Sequence, residues 1–146
     1  MKTGVSLLIV CVLALGGLVF FKYLRPPAPT PGVFGQGTTL TSAIERSSAE
    51  GKPVFAVATA DWCGYCQSYK RGALADERVA AIIEARTIPV YINVDDDPAD
   101  AEKLGVSGIP ATFLIRDGEI VDRLSGDIKT DDLIEWLEEK APATEG

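Results

Sequence analysis

The chain has 146 residues, with 14 Lys+Arg against 21 Asp+Glu, a net charge of -7, no His and three Cys. The acidic balance argues against nucleic-acid binding, and the missing His removes Ser-His-Asp and Cys-His catalysis together with every His-bearing zinc site. Cys11, Cys63 and Cys66 are too few for a disulfide scaffold or a four-thiolate metal site, so any chemistry rests on the Cys63/Cys66 pair.

Gly4 to Phe21 runs for 18 residues without a charge, about 27 Å as a helix against a hydrocarbon core of roughly 30 Å. It is expected to span a membrane, with Lys2, Lys22 and Tyr23 snorkelling at its ends. A cleaved signal peptide is the competing reading, but the bulky Val19-Phe20-Phe21-Lys22-Tyr23 is a poor cleavage site and favours an uncleaved anchor. Cys11 lies deep inside the apolar run and reads as a small apolar residue. Lys2 and the free amine balance Lys22 and Arg25, so charge alone does not orient the segment.

The domain layout is then an anchor over 1–25, a Pro/Gly-rich linker over 26–40, a folded domain over 41–140 and a disordered tail over 141–146. Pro26-Pro27-Ala28-Pro29-Thr30-Pro31-Gly32 is expected to be extended polyproline, a spacer holding the domain off the bilayer. Ser42-Ala43-Ile44-Glu45 fits a capping box opening a helix that stops at Gly51. Pro53 to Ala60 reads as a strand buried on both faces. A helix is expected from about Cys63, breaking near Gly72 and resuming from Asp76, with Val79, Ile82 and Ile83 on one face.

Thr87 to Val94 reads as a second buried strand, and Asp97-Pro98 as N-cap and first residue of a short helix reaching Leu104. Ala111 to Arg116 and Glu119 to Leu124 flank Asp117-Gly118, a strong hairpin signal. Thr130 is expected to cap a last helix with Leu133, Trp136 and Leu137 as its apolar stripe and Asp131 and Asp132 at its positive end. Asp95-Asp96-Asp97 lacks the Gly and distal Glu of a calcium loop and reads as a capping turn. Lys70 and Arg71, a turn beyond Cys66, are either solvated or hold nearby charge.

Trp62-Cys63-Gly64-Tyr65-Cys66 falls where a buried strand gives way to a helix. Cysteines at i and i+3 on a first helical turn can close a disulfide with little backbone movement, and the first thiol lies beside unpaired N–H groups at the positive end of the helix. Cys63 is therefore the expected nucleophile and Cys66 the resolving thiol. Half a zinc site and an inert structural disulfide are the alternatives; zinc would have to be completed by carboxylates alone.

These residues resemble the thioredoxin superfamily. Ala60-Asp61-Trp62-Cys63-Gly64-Tyr65-Cys66 matches its active-site run, Gly108-Ile109-Pro110-Ala111-Thr112 its loop with a cis proline against the cysteines, and Gly126 its later glycine turn. The similarity covers about Ala43 to Lys140. It implies an α/β, thioredoxin-like fold with a central mixed β-sheet flanked by helices, here preceded by one N-terminal transmembrane helix. It also implies Asp61, Trp62, Gly64 and Tyr65 as support for the cysteines, and Ile109 and Pro110 as the substrate-binding backbone. A plain turn proline is the alternative for Pro110.

The chain looks most like small membrane-linked domains of that superfamily that pass electrons to extracytoplasmic disulfides. Ile before the proline leans toward a reductase, whereas the Gly-Tyr dipeptide also occurs in isomerases. One departure stands out: the buried carboxylate expected six residues before the first cysteine is Val57, and the lysine that accompanies it is Tyr91. Without that carboxylate, Cys66 is expected to lose its proton to solvent or to Asp61, which would slow its resolving step.

The expected protein is thus a protein-disulfide reductase with its domain on the periplasmic or extracellular face. Its partners are protein disulfides, an upstream membrane or soluble thiol donor, and the membrane itself; no metal or other cofactor is called for. An isomerase or oxidant, and a non-catalytic binding or copper-handling module, are the other readings.

Overall fold

The computed structural model describes residues 2–23, 26–35 and 37–143, without the side chains of 2–5 and 21–23. Ten main elements follow in order: α1 (Lys2–Tyr23), α2 (Leu40–Glu50), β1 (Val54–Thr59), α3 (Gly64–Arg71), α4 (Glu77–Arg86), β2 (Ile88–Asn93), α5 (Pro98–Lys103), β3 (Ala111–Arg116), β4 (Glu119–Ser125) and α6 (Thr130–Lys140). Short 3-10 turns cover Gly32–Phe34 and Ala73–Ala75.

The strands form one sheet in the order β2-β1-β3-β4, with β1 parallel to β2 and antiparallel to β3, and β3 antiparallel to β4. Central β1 is buried at every residue, as its unbroken apolar run requires. Its side chains alternate between two cores. Val54, Ala56 and Ala58 meet Leu40, Ala43, Ala101 and Leu104 of the α2/α5 layer. Phe55 and Val57 meet Tyr69, Leu74, Val79, Ile83, Leu133 and Leu137 of the α3/α4/α6 layer.

β2 departs from its expected burial on both faces, because it lies at the sheet edge and alternates between buried and half-buried residues. Pro89 is tolerated there, where a missing N–H is least disruptive. The hairpin forms as its turn chemistry dictates: Asp117 and Gly118 both have positive φ, 53° and 82°, which Asp accepts and Gly favours.

Three helix caps differ from expectation, two of them in position. Thr39, not Ser42, caps α2: its hydroxyl accepts the Ser42 N–H at 3.2 Å, and Ser42 Oγ donates to the Thr39 carbonyl. Pro98 is the first residue of α5 as expected, but the Asp97 side chain makes no cap. Thr130 is inside α6, with Lys129 at the cap position and no side-chain bond. α4 resumes at Asp76 as expected, with the Asp76 side chain capping it through the Arg78 N–H, and the left-handed Gly51 stop is found where the sequence puts it.

The segment expected as an extended spacer is docked on the domain. Phe34 is 2% exposed, stacks on Phe55 with ring centroids 6.2 Å apart and meets the Tyr91 ring edge-on at 5.7 Å. Ala28 is also buried, and Arg71 donates to the Pro26 carbonyl at 3.2 Å. Burying an aromatic ring stabilises by about 1.5–3 kcal/mol, enough to hold a short proline-stiffened strap on the domain. At the other end Ala141 is fully buried and its carbonyl accepts from Arg86, so it belongs to the fold rather than to a tail. Residues 144–146 of the expected tail lie outside the described residues.

The N-terminal helix forms, but among the described residues no helix is long and apolar enough to cross a membrane. Its side chains are described over residues 6–20. The expected snorkelling by Lys2, Lys22 and Tyr23, and the charge of Arg25, fall outside the described side chains.

Candidate active site

β1 ends at Thr59, and the chain turns through Ala60, Asp61 and Trp62 into α3 with Cys63 as N-cap. The sulfur of Cys63 caps the helix itself, accepting the Cys66 N–H at 3.2 Å. Cys63 and Cys66 are joined as a disulfide, and their Cα atoms are 5.2 Å apart. Cys63 is 6% exposed and Cys66 is sealed at 0%. The pair packs with Ala60, Val94 and Ile109.

The Ile109-Pro110 bond is cis, as the resemblance implies. The Ile109 carbonyl faces Cys63 Sγ at 3.9 Å. Beside it lies a pocket of about 210 Å³ lined by Gly108, Ile109, Pro110, Arg123 and Ser125, among others. Gly126, at φ 91°, sends its N–H to the Pro110 carbonyl at 2.8 Å and so ties the end of β4 to this loop.

Trp62 and Tyr65 flank the disulfide as open aromatic faces, 73% and 74% exposed. Trp62 is not loose: its Nε1 donates to Asp95 Oδ2 at 2.8 Å. Asp95, expected only to cap a turn, thus orients an active-site ring. Gly64 lies exposed on the first turn of α3. The Asp61 carboxylate accepts from Lys70 Nζ at 3.3 Å.

Val57 is fully buried, opposite Tyr91 on β2 and Thr112 on β3. Hydroxyls serve this region. Tyr69 OH bonds Thr112 Oγ1 at 3.1 Å, and Thr59 Oγ1 donates to Tyr91 OH at 2.6 Å. Burial pushes the Tyr69 phenol far above its ordinary range; the Thr112 bond offsets this in part and the charge of Asp127 adds to it. Tyr69 is a neutral hydrogen-bonding group rather than a base. Sequence reasoning missed this hydroxyl network, the burial of Lys70, and Gln67, whose Oε1 accepts the Ala28 N–H while its Nε2 donates to the Asp61 carbonyl; none of these carries a motif.

Comparison with known proteins points the same way as this geometry. The thioredoxin-like domain family matches residues 40–141. Thioredoxin from Rhodospirillum rubrum is 33% identical over 79 residues, covering 54% of this chain and 73% of that protein. The thiol:disulfide interchange protein DsbD of Neisseria meningitidis serogroup B is 29% identical over 131 residues, which is 82% of this chain and 22% of that protein. The crystal structure of the oxidised C-terminal domain of Neisseria meningitidis DsbD superposes with a TM-score of 0.58 at 29% identity, covering 68% of this chain and 91% of that domain. With a helix-capping cysteine bonded to a buried one, the chain belongs to the thioredoxin-like domain family and is a thiol-disulfide oxidoreductase with a Cys63-Cys66 pair.

Proposed function

We propose that this oxidoreductase reduces disulfides in other proteins outside the cytoplasm, with its domain held at a membrane by α1. The observation that carries the chemistry is the position of Cys63 Sγ at the N-cap of α3, taking the Cys66 N–H. In the reduced protein the same place stabilises a thiolate. Lowering a thiol pKa from about 8.5 to about 7 raises the reactive fraction at neutral pH from a few per cent to roughly half.

Cys63 thiolate attacks a substrate disulfide, forming a mixed disulfide and releasing the first substrate thiolate. Cys66, once deprotonated, attacks Cys63 Sγ; the Cys63-Cys66 disulfide forms and the second substrate thiolate leaves. The two electrons gained by the substrate come from the dithiol, so an upstream thiol donor has to restore it. An extended substrate segment can pair with the Ile109 backbone beside Cys63, while Trp62 and Tyr65 cover its side chains. The reducing direction is supported by the similarity to thioredoxins and by Ile109 ahead of the proline.

The membrane reading is supported by α1 itself. Leu7, Leu8, Leu13, Leu15 and Leu18 point outward at 63–70% exposed, a helix apolar all round and unpartnered, which water does not favour. Two measurements test the whole reading. The dithiol form should reduce insulin disulfides catalytically with dithiothreitol as donor; stoichiometric Cu(I) uptake without turnover would refute it. A C-terminal reporter active only outside the cytoplasm should give signal, and signal from a reporter active only inside would reverse the topology.

A further inference from the structure

Lys70 is the one charged side chain buried among the described residues; the other buried polar groups are Ser47, Thr59, Thr87 and Thr112. An ammonium is expensive to bury and is retained only where its charge is compensated or used. Its compensation here is partial. Asp61 Oδ1 is 3.3 Å from Nζ, but the Asp61 side chain is 56% exposed while that of Lys70 is 1% exposed. Among the described residues the charge also meets the face of Tyr91, with the ring centroid 5.7 Å away.

The position of Lys70 gives this charge a use. On α3 it follows Cys66 by four residues, one helical turn, and both residues are buried. Residues so spaced are neighbours on one helix face, with Cβ atoms about 5–6 Å apart. At its tip the same amine holds Asp61, two residues ahead of Cys63, so the Asp61–Lys70 pair brackets the cysteine motif. Val57 meanwhile leaves the interior beneath β1 without a carboxylate.

We propose that Lys70 is the positioning residue that makes Cys66 ionise, replacing the absent carboxylate with a buried positive charge. The proposal rests on the reading of Cys66 as the resolving thiol. In the mixed-disulfide state the Cys66 S–H proton leaves to water through the exposed Asp61 carboxylate, and the thiolate left behind is stabilised by the Lys70 ammonium. It then attacks Cys63 Sγ and expels the substrate thiolate, so protons and electrons balance without a further reagent.

The neighbouring charged and titratable groups fall into place around this pair. Asp61 precedes the helix, Tyr91 and Asp95 come from β2 and the turn after it, and Arg123 of β4 lines the pocket beside Ile109. Glu77 and Glu84 of α4 and Arg71 of α3 line a groove together with Lys70. Tyr69 faces Thr112 and stays neutral. Of these, Asp61 is the one that contacts the Lys70 ammonium as an ion pair.

The test titrates Cys66 directly in the full chain, with Cys11→Ala and Cys63→Ala leaving it as the sole thiol, by NMR of 13Cβ-labelled cysteine. Lys70→Met should move the Cys66 midpoint up by about one pH unit, the size expected for losing an opposite charge nearby. Lys70→Arg keeps the charge and should hold the midpoint near that of the parent. Asp61→Asn removes the competing anion and should move it down. Opposite shifts are what a structural defect does not produce. An unmoved midpoint in Lys70→Met, or shifts of the same sign in Lys70→Met and Asp61→Asn, overturns the proposal. The titration needs no substrate, so its outcome is independent of whether Cys66 resolves mixed disulfides, which trapping variants decide.

Discussion

Gln67 ties Ala28 to the active-site turn. Its Oε1 accepts the Ala28 N–H, while its Nε2 donates to the Asp61 carbonyl at 3.0 Å and the Ala60 carbonyl at 3.4 Å. One side chain on α3 therefore serves both the docked strap and the loop that presents Cys63. The docked strap is thereby tied to the turn that leads into Cys63.

Gln67→Leu keeps the volume and removes all three bonds. Ala60 is fully buried, and its carbonyl keeps the Cys63 N–H but loses its side-chain donor. A loss of about 1–2 kcal/mol is expected in urea unfolding followed by tryptophan fluorescence. The strap should also become cleavable by protease near Ala28. Cleavage at the wild-type rate would mean that the strap is held by Phe34 alone.

Phe34→Ala tests that second attachment. The ring is nearly sealed between Phe55 and Tyr91, and removing a buried Phe side chain typically costs about 3–5 kcal/mol. Destabilisation at the low end is expected, because a strap can lift where a core element cannot. A change below about 0.5 kcal/mol would show that the ring adds nothing to the fold.

Element order and the site motif were legible because both depend on local chemistry. The apolar run of β1, the Asp117-Gly118 turn and the Gly51 stop dictate their own geometry, and Trp62 to Cys66 names the start of α3. The docked strap was not legible. Pro26 to Gly32 favours extended backbone whether free or bound, and Phe34 reveals its role only once Phe55 and Tyr91 are side by side from different strands. Lys70 was illegible for the same reason: burial of a lysine depends on what closes over it. Thr39 and Thr130 show the limits of capping signals, since Ser, Thr and Asp occur both at caps and one to three residues inside them.

Asp76 gives a pH dependence with a defined sign. Its carboxylate caps α4 through the Arg78 N–H at 2.9 Å and accepts the Arg78 guanidinium at 3.1 Å. The Arg78 side-chain bonds hold its pKa below the ordinary carboxylate value of 3.8. A depressed folded pKa contributes stability that is complete above the unfolded value and is lost as pH falls through the folded one. Asp76→Ala should lower the melting temperature at pH 7, and the gap from wild type should narrow as pH falls below the ordinary carboxylate range through the folded pKa. A gap that persists in acid would assign the effect to helix propensity rather than to charge.

The two cysteines should not be interchangeable. Cys63 is the more accessible sulfur and the helix cap; Cys66 is sealed. Cys66→Ser should trap substrate proteins as mixed disulfides on Cys63, visible as thiol-reversible bands on a non-reducing gel. Cys63→Ser should trap about a tenth as much or less, since a buried, uncapped thiol reacts slowly. Equal trapping by both variants would contradict the assignment of roles.

Val57→Asp restores a carboxylate to a place where this chain has built an apolar and hydroxyl-bonded interior. The new group would sit opposite Tyr91 and Thr112. Both hydroxyls there are already engaged, with Thr59 and Tyr69, and Lys70 is committed to Asp61. Left without a charged partner, the carboxyl should have a raised folded pKa and cost a few kcal/mol when ionised. A raised carboxyl pKa makes the folded state bind more protons than the unfolded one. Stability relative to wild type therefore falls as pH rises from about 4 through the folded pKa, and is flat above it. Urea unfolding of the variant and the wild type at pH 5 and pH 8 decides the matter, with the larger difference expected at pH 8. An equal difference at both values would mean that the aspartate is ionised throughout, and Lys70 would then have exchanged Asp61 for it as a partner. Combining Val57→Asp with Lys70→Met would expose that exchange as a further loss of stability at pH 8 that Lys70→Met alone does not produce.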